Sequence, residues 1–488
     1  MTANVSSNKG IILLLACVAQ FMVVLDIAIV NVALPSIQRD LHIAQSTLQW
    51  IVVAYGLMLG GFLLFGGRMA DLLGRRRILL TGLIVFATAS LLAGVAGSAG
   101  FLIAARALQG LGAALIPPAA LSILAVTFDE GAERNRALGL YGATAGVSAS
   151  VGVIASGLLS DGPGWRWVFF INVPVGVLLI AMAAIFLTVD RPQRRTGERF
   201  DVGGAVSVTG GLLLLVYALN RSIDSGWSSG STLGLLAASL VVLSVFVGIE
   251  ARSRSPLVPG SAVRNRTLVA ANLSAFFLFG AFFAFIFLGS LLMQQVLAYS
   301  PTRTGVAWLA TSVTSFFAAA TAGSKLVGVV GVRRLLIAGF TLLAIGALLL
   351  TRVPAGADYA TDLLPALILV GIAGGVSAPA IQIGALSGVP RSLTGLAGGF
   401  VETLREIGGG VGVAVVATVL ASRAGNVSHA ANVQTYGLAG VNAFHTAFWV
   451  MFVAAALGAL TAALAFPRRT THEVELDPQR RDVVSDAA

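Results

Sequence analysis

The chain has 488 residues, of which 57% are hydrophobic and only 11% charged, with a mean hydropathy of +0.91. Soluble domains carry roughly 25% charged residues, so a water-soluble fold of this size could not cover itself. A soluble enzyme, a nucleic-acid-binding protein, a disordered chain and a disulfide scaffold are excluded, and a polytopic membrane protein remains. The net charge of +10 fits basic residues gathered on one side of a membrane rather than a nucleic-acid footprint.

About 20 apolar residues in a helix cross a hydrocarbon core of roughly 30 Å. By that measure spans are expected near 11–34, 48–67, 78–97, 101–125, 136–160, 166–188, 203–220, 233–249, 267–293, 304–323, 334–351, 363–385, 395–420 and 442–466. Helices are required because lipid cannot satisfy backbone N–H and C=O groups, and the runs lack the alternation of barrel strands. The first run is long and ends in Pro35, so it reads as a span and not as a cleaved signal. Placing both termini inside puts 23 of the 31 Lys and Arg on inner segments, 6 on outer segments and 2 within spans. That bias predicts an even number of spans with cytoplasmic N- and C-termini.

In chain order, the first ionisable residue inside a span is Asp26. It lies 15 residues into the first span, about 22 Å from the inner edge. Arg106 is 5 residues into the fourth span, about 8 Å from the outer edge. In a core of about 30 Å these depths coincide, so Asp26 and Arg106 are expected to share a polar network, with Asn31 and Gln109 at its edges. Such groups are costly in lipid and commonly mark proton or substrate paths; a static ion pair is the other reading.

The loop Gly66–Arg77 recurs, 257 residues later, as Gly323–Arg334, sharing Gly66/Gly323, Gly74/Gly331, Arg76/Arg333 and Arg77/Arg334. Parallel repeats of this kind build transporters from two similar halves. Asp71 sits among Arg68, Arg75, Arg76 and Arg77, and Gly328 takes its place in the second copy. Gly67, Asp71, Gly74, Arg75 and Arg76 therefore form either a cytoplasmic latch, with Asp71 on an Arg or a helix N-terminus, or a basic anchor.

Further along, Gly142, Gly146, Gly152 and Gly157 in the fifth span, and Gly408–Gly412, permit close helix contact. The ninth span is rich in Phe. Phe283 and others could line an apolar cavity with Gln294 near its outer end, or face lipid. In the thirteenth span Glu402, Arg405 and Glu406 share one helix face. Two acids beside one Arg leave about one negative charge unmatched, which makes Glu402 a candidate for contact with substrate or proton; a fully paired structural triad is the alternative. His445 is ambiguous.

Energy from ATP requires a Gly-x-x-x-x-Gly-Lys-Ser/Thr loop. The chain has two lysines, Lys9 and Lys325, and neither fits. There is no HExxH, and the four His are scattered, so neither a metal nor another cofactor is expected.

These motifs together resemble a known family. The loop from Gly67 to Arg77 is similar to the signature loop of the major facilitator superfamily. Leu25–Pro35 resembles a motif of its fourteen-spanner drug:proton antiporters. Arg106-Ala-Leu-Gln109-Gly110 resembles the proton-coupling motif, and the glycines of the fifth span the antiporter motif, except that Val147 follows Gly146 where a Pro is usual. The resemblance implies an all-α membrane protein of major-facilitator fold: two six-helix bundles (1–190 and 267–466), a segment 191–266 with two extra central helices, and a polar tail 467–488 expected to be disordered. It implies proton-coupled efflux of hydrophobic or cationic drugs or antibiotic-like metabolites from the cell by alternating access. Its partners would be a small-molecule substrate, protons and the lipid bilayer, with no nucleic acid and no partner ATPase. A uniporter or symporter of a small metabolite is the alternative; a membrane-embedded enzyme finds no catalytic constellation.

Overall fold

The computed structural model describes residues 3–162, 164–188, 201–253, 256–354, 356–424 and 437–467, the side chains of some helical residues excepted. The long helices are α1 (Ala3–Leu41), α2 (Gln45–Leu73), α3 (Arg75–Gly94), α4 (Ala99–Thr127), α5 (Ala132–Asp161), α6 (Asn172–Phe186), α7 (Val202–Ser225), α8 (Gly230–Glu250), α9 (Arg266–Leu291), α10 (Pro301–Thr321), α11 (Val332–Leu350), α12 (Leu364–Leu386), α13 (Thr394–Ala424) and α14 (Gly437–Ala465). Among the described residues, 12 helices are long and apolar enough to cross a membrane; α5 and α10 are outside that set. Residues 468–488, most of the expected tail, lie outside the described residues.

Several helices outrun their apolar stretch. The apolar run ends near residue 34, yet α1 continues to Leu41 through Pro35. The hydrophobic boundary marks where hydrocarbon ends, and a helix can continue into water beyond it.

The packing of the first six helices recurs in the last six. In the first set α2 and α3 pack on α4, α1 on α5 and α6, and α3 on α6. In the second α10 and α11 pack on α12, α9 on α13 and α14, and α11 on α14. The sets meet along two seams, α2 with α13 and α5 with α10, while α7 packs on α2, α13 and α8.

The repeated loops share a structural role. Gly74 and Gly331 both have positive φ, 102° and 84°, which glycine adopts at little cost. Each lets the chain turn directly from one helix into the next. Arg76 then donates from Nη2 to Ala184 O at 2.7 Å and from Nε to Ala183 O at 3.3 Å, in the last turn of α6. Arg333 does the same to Ala463 O, at 2.7 and 3.1 Å, in the last turn of α14. A guanidinium there satisfies orphan carbonyls and complements the negative end of the helix dipole.

Close contact of α9 and α13 depends on glycine. A Cβ on Gly412 would meet Gly280 O, and one on Gly408 would meet Phe276 O, so the two backbones touch. In lipid, where apolar burial drives little association, such approach is a main source of helix cohesion.

Candidate functional site

Asp26, on α1, is fully buried, and the structure brings it onto Arg106 and Gln109 of α4. Arg106 Nη1 donates to Asp26 Oδ2 at 2.5 Å and to Gln109 Oε1 at 2.7 Å. Asp26 Oδ1 accepts from Gln109 Nε2 at 2.8 Å and from Asn172 Nδ2, on α6, at 2.9 Å. Gln109 also donates to Ser90 Oγ of α3 at 2.8 Å. Arg106 Nε donates to Ile51 O, and its guanidinium stacks 4.1 Å from the centre of the Tyr55 ring. Helices α1, α2, α3, α4 and α6 thus converge on one carboxylate, whose two oxygens take three N–H donors. That number of donors satisfies the hydrogen-bonding capacity of a carboxylate closed off from solvent. Asn172, Ser90 and Tyr55 were not among the expected residues. Asn172 was within reach: six residues into the sixth span, it lies about 9 Å from the outer edge, the depth of Arg106. The side chain of Asn31 lies outside the described residues.

The second cluster is on α13. Arg405 Nη1 donates to Glu402 Oε2 at 2.7 Å, and Arg405 Nε stands 3.7 Å from Glu406 Oε1. The guanidinium also lies over the Phe279 ring, 5.1 Å from its centre. Glu402 is 2% exposed, and its Oε1 is buried with no hydrogen-bond partner. The buried Gln382 Oε1 on α12 also lacks one. Tyr141 of α5, within electrostatic range of Glu402 and Arg405, donates its hydroxyl proton to Gln20 Oε1 of α1 at 2.8 Å. Phe283 packs edge-on against Phe279, with ring centres 5.9 Å apart, and fills the space beside Gly409. Phe279, between them, lies under the Arg405 guanidinium. Gln294 is exposed in a π-turn, Leu292–Val296, at the end of α9, and is not brought to this cluster.

The loop cluster spans the α2–α13 seam. Asp71 Oδ1 and Oδ2 accept from the backbone N–H groups of Gly395 (2.9 Å) and Leu396 (2.8 Å), in the first turn of α13. The carboxylate thus meets two orphan donors and the positive end of the helix dipole. Arg75 stands 3.8 Å from Asp71, donates to Ser122 Oγ at 2.6 Å, and donates to Arg391 O. Ser122 and Thr394 share a hydrogen bond of 2.7 Å. Gly67 faces Gly395 and Gly399 so closely that a Cβ would collide with Gly395 O. Arg76 serves α6 instead, and Arg68 donates to Pro256 O at 3.2 Å.

Of the fifth-span glycines, Gly142 faces Pro379 and Gln382 of α12, and Gly152 faces Ala28 of α1. The surroundings of Gly146 and Gly157, both within α5, are not described. At the opposite end of α1, Asp40 accepts from Arg166 at 2.6 Å and from Trp165 at 2.9 Å. Those two bonds, Arg166's foremost, hold its carboxyl below the usual carboxylate range.

The family model described as Major Facilitator Superfamily matches residues 16–413 and 271–486. The puromycin resistance protein pur8 of Streptomyces alboniger is 38% identical over 419 residues, covering 84% of this chain and 81% of its own length. The cephamycin export protein CmcT of Amycolatopsis lactamdurans is 36% identical over 418 residues, 86% of each chain. Among solved structures, the human organic anion transporter MFSD10 aligns over 93% of this chain and 99% of its own, with TM-score 0.66 and 16% identity, a likeness of fold. The chain belongs to the Major Facilitator Superfamily of membrane transporters, and the two relatives named above are a puromycin resistance protein and a cephamycin export protein.

Proposed function

We propose that the protein exports hydrophobic or cationic drugs or antibiotic-like metabolites across the cell membrane in exchange for protons. In this reading the chain crosses the membrane fourteen times with both termini cytoplasmic. Helices α1–α6 and α9–α14 are two halves that rock about a central site, and α7 and α8 are inserted between them. No ATPase or cofactor takes part. The names of the relatives, which include puromycin resistance and cephamycin export, support the cargo class.

The observation that carries the reading is the contrast between the two ionic clusters. Asp26 is saturated by three donors, whereas Glu402 has one oxygen open and shares a single Arg405 with Glu406. Arg405 holds one oxygen of Glu402, and the other is a buried acceptor with no donor, a cost that an arriving donor or cation relieves. A proton and a cationic cargo both can relieve it, and they exclude one another there, which is the essence of exchange. Asp26 is the second proton-coupling group: its proton can enter only when Arg106 swings away, so its state is tied to the arrangement of the first half. With Asp71 capping α13, the cytoplasmic ends of α2 and α13 are held together. Protonation drives the return of the unloaded halves.

The test is uptake into inverted vesicles of a panel of cationic and neutral dyes. Uptake that needs an acid lumen supports exchange; flux indifferent to the gradient favours a uniporter and removes this reading. Glu402→Gln is expected to lower uptake of the cationic dyes about tenfold, equivalent to about 1.4 kcal/mol, while sparing the neutral ones. Equal retention of both classes ends the role of Glu402.

A further inference from the structure

The inserted pair α7–α8 carries a cavity of its own. It lies where α7 begins and α8 ends, has a volume of about 830 Å³, and is lined by Asp201, Val245, Gly248, Ile249, Arg252 and Ser253. Both helices are long and apolar enough to cross a membrane, over Val202–Ser222 and Gly230–Glu250. Asp201 stands immediately before the first of these stretches, and Arg252 follows the second. The cavity therefore straddles the edge of the hydrocarbon, with its charged residues at the water side.

Its apolar wall runs inward from there. Val245, Gly248 and Ile249 share one face of α8, which Arg252 continues in the turn that ends the helix. Val245 is about 10 Å deeper than Arg252 along the helix axis, and it is 52% exposed. A Cβ on Gly248 would meet nothing within 4 Å, so the wall between them is open. An occupant of the whole cavity must therefore be polar at one end and apolar over about 10 Å beyond it.

The charged residues at the rim are unmatched. Asp201 Oδ1 accepts from the backbone N–H of Gly204 at 2.7 Å and caps α7, but Oδ2 is buried and has no hydrogen-bond partner. Glu250, on the other side of Gly204, has both oxygens taken by the backbone N–H groups of Leu257 (3.0 Å) and Val258 (2.9 Å). Arg252 is exposed and, among the described residues, belongs to no ion pair. An acid and a base thus line one cavity without pairing. A free anion would answer Arg252 and leave Asp201 Oδ2 open. A quaternary ammonium has no N–H to donate to that oxygen, whereas a primary ammonium has three. Small ions from water would leave the apolar wall unused.

We propose that this cavity binds a phospholipid whose headgroup carries a primary ammonium. The ammonium donates to Asp201 Oδ2, the phosphate meets Arg252, and an acyl chain lies along Ile249, Gly248 and Val245. The lipid is a resident of the inserted pair and not cargo, so the site stands whether or not transport is driven by protons.

Native mass spectrometry of the full chain, incubated in detergent with phosphatidylethanolamine or phosphatidylcholine of matched acyl chains, tests the site. The parent is expected to retain the ethanolamine lipid about tenfold more than the choline lipid, equivalent to about 1.4 kcal/mol. Asp201→Asn keeps a good capping side chain on α7 and removes the charge, so it should lower that ratio to about twofold or less. Arg252→Gln should lower retention of both lipids and keep the ratio, because both carry the phosphate. Asp129→Asn, at an acid whose side chain is 81% exposed, is the control and should change neither. Glycerophosphoethanolamine, the same headgroup without tails, should fail to displace the lipid at equal concentration. Displacement by it would assign the cavity to a soluble ligand and overturn the proposal. Equal retention of the two lipids by the parent, a ratio that Asp201→Asn leaves intact, or retention that Arg252→Gln does not lower would overturn it as well.

Discussion

Arg106→Ala is expected to be the most destabilising single substitution in the first half, by about 3–5 kcal/mol, because it strands a buried carboxylate without its cation. Asp26 is fully buried, with Arg106 as its ion-pair partner. The companion variant Asp26→Asn keeps the shape but not the hydrogen-bond pattern. Its new NH₂ must face either Arg106 or the amides of Gln109 and Asn172, all of which are donors. That mismatch costs less, about 1–3 kcal/mol, so the protein should still assemble while losing proton-coupled efflux altogether. The double variant should be more stable than Arg106→Ala alone, since the stranded charge is gone. Thermal unfolding in detergent measures all three. Full transport by Asp26→Asn removes Asp26 from the mechanism, and a double variant no better than Arg106→Ala shows that packing, not charge, sets the cost.

Asp71→Ala should have the second-largest effect, on conformation rather than on stability. It deletes two charge-assisted bonds across the α2–α13 seam, each worth about 1.5–3 kcal/mol, and the favourable contact with the α13 dipole. Losing about 3 kcal/mol from the arrangement in which this seam is closed shifts its equilibrium more than a hundredfold. The second repeat has Gly328 in place of Asp71 and so cannot compensate. Spin labels at Leu73→Cys and Ser392→Cys, in a Cys17→Ser background, report the separation of the end of α2 from the start of α13. Asp71→Ala is expected to move the distance distribution to a longer, broader population. An unchanged distribution would mean that Arg75, Ser122 and Thr394 hold the seam unaided.

How much of this could be read from the chain depends on what the residues signal alone. Helix positions follow from apolar length, which is a property of single segments. The closeness of Asp26 and Arg106 follows from depth, because a bilayer supplies a common ruler for helices distant in sequence. The same ruler would have found Asn172. It could not find Ser122 or Thr394: small hydroxyl residues are common in such helices and take meaning only from the Arg75 side chain that reaches them. Asp71 on a helix N-terminus was one of two readings of the loop, and only the placement of α13 against α2 distinguishes them. Phe283 and Gln294 show the opposite case. Their residue types suit a cavity, but rotation about the helix axis puts one ring against Gly409 and leaves the other side chain exposed beyond the end of α9.

In the proposed exchange, a proton and cargo compete for the open oxygen of Glu402. The direct measurement is proton release when a cationic dye binds the purified protein in weakly buffered detergent, read with a pH indicator and compared between the parent chain and Glu402→Gln. Exchange at Glu402 predicts about one proton displaced per dye bound by the parent and none by the variant. Tight binding by the parent with no proton released, or release undiminished in Glu402→Gln, contradicts it.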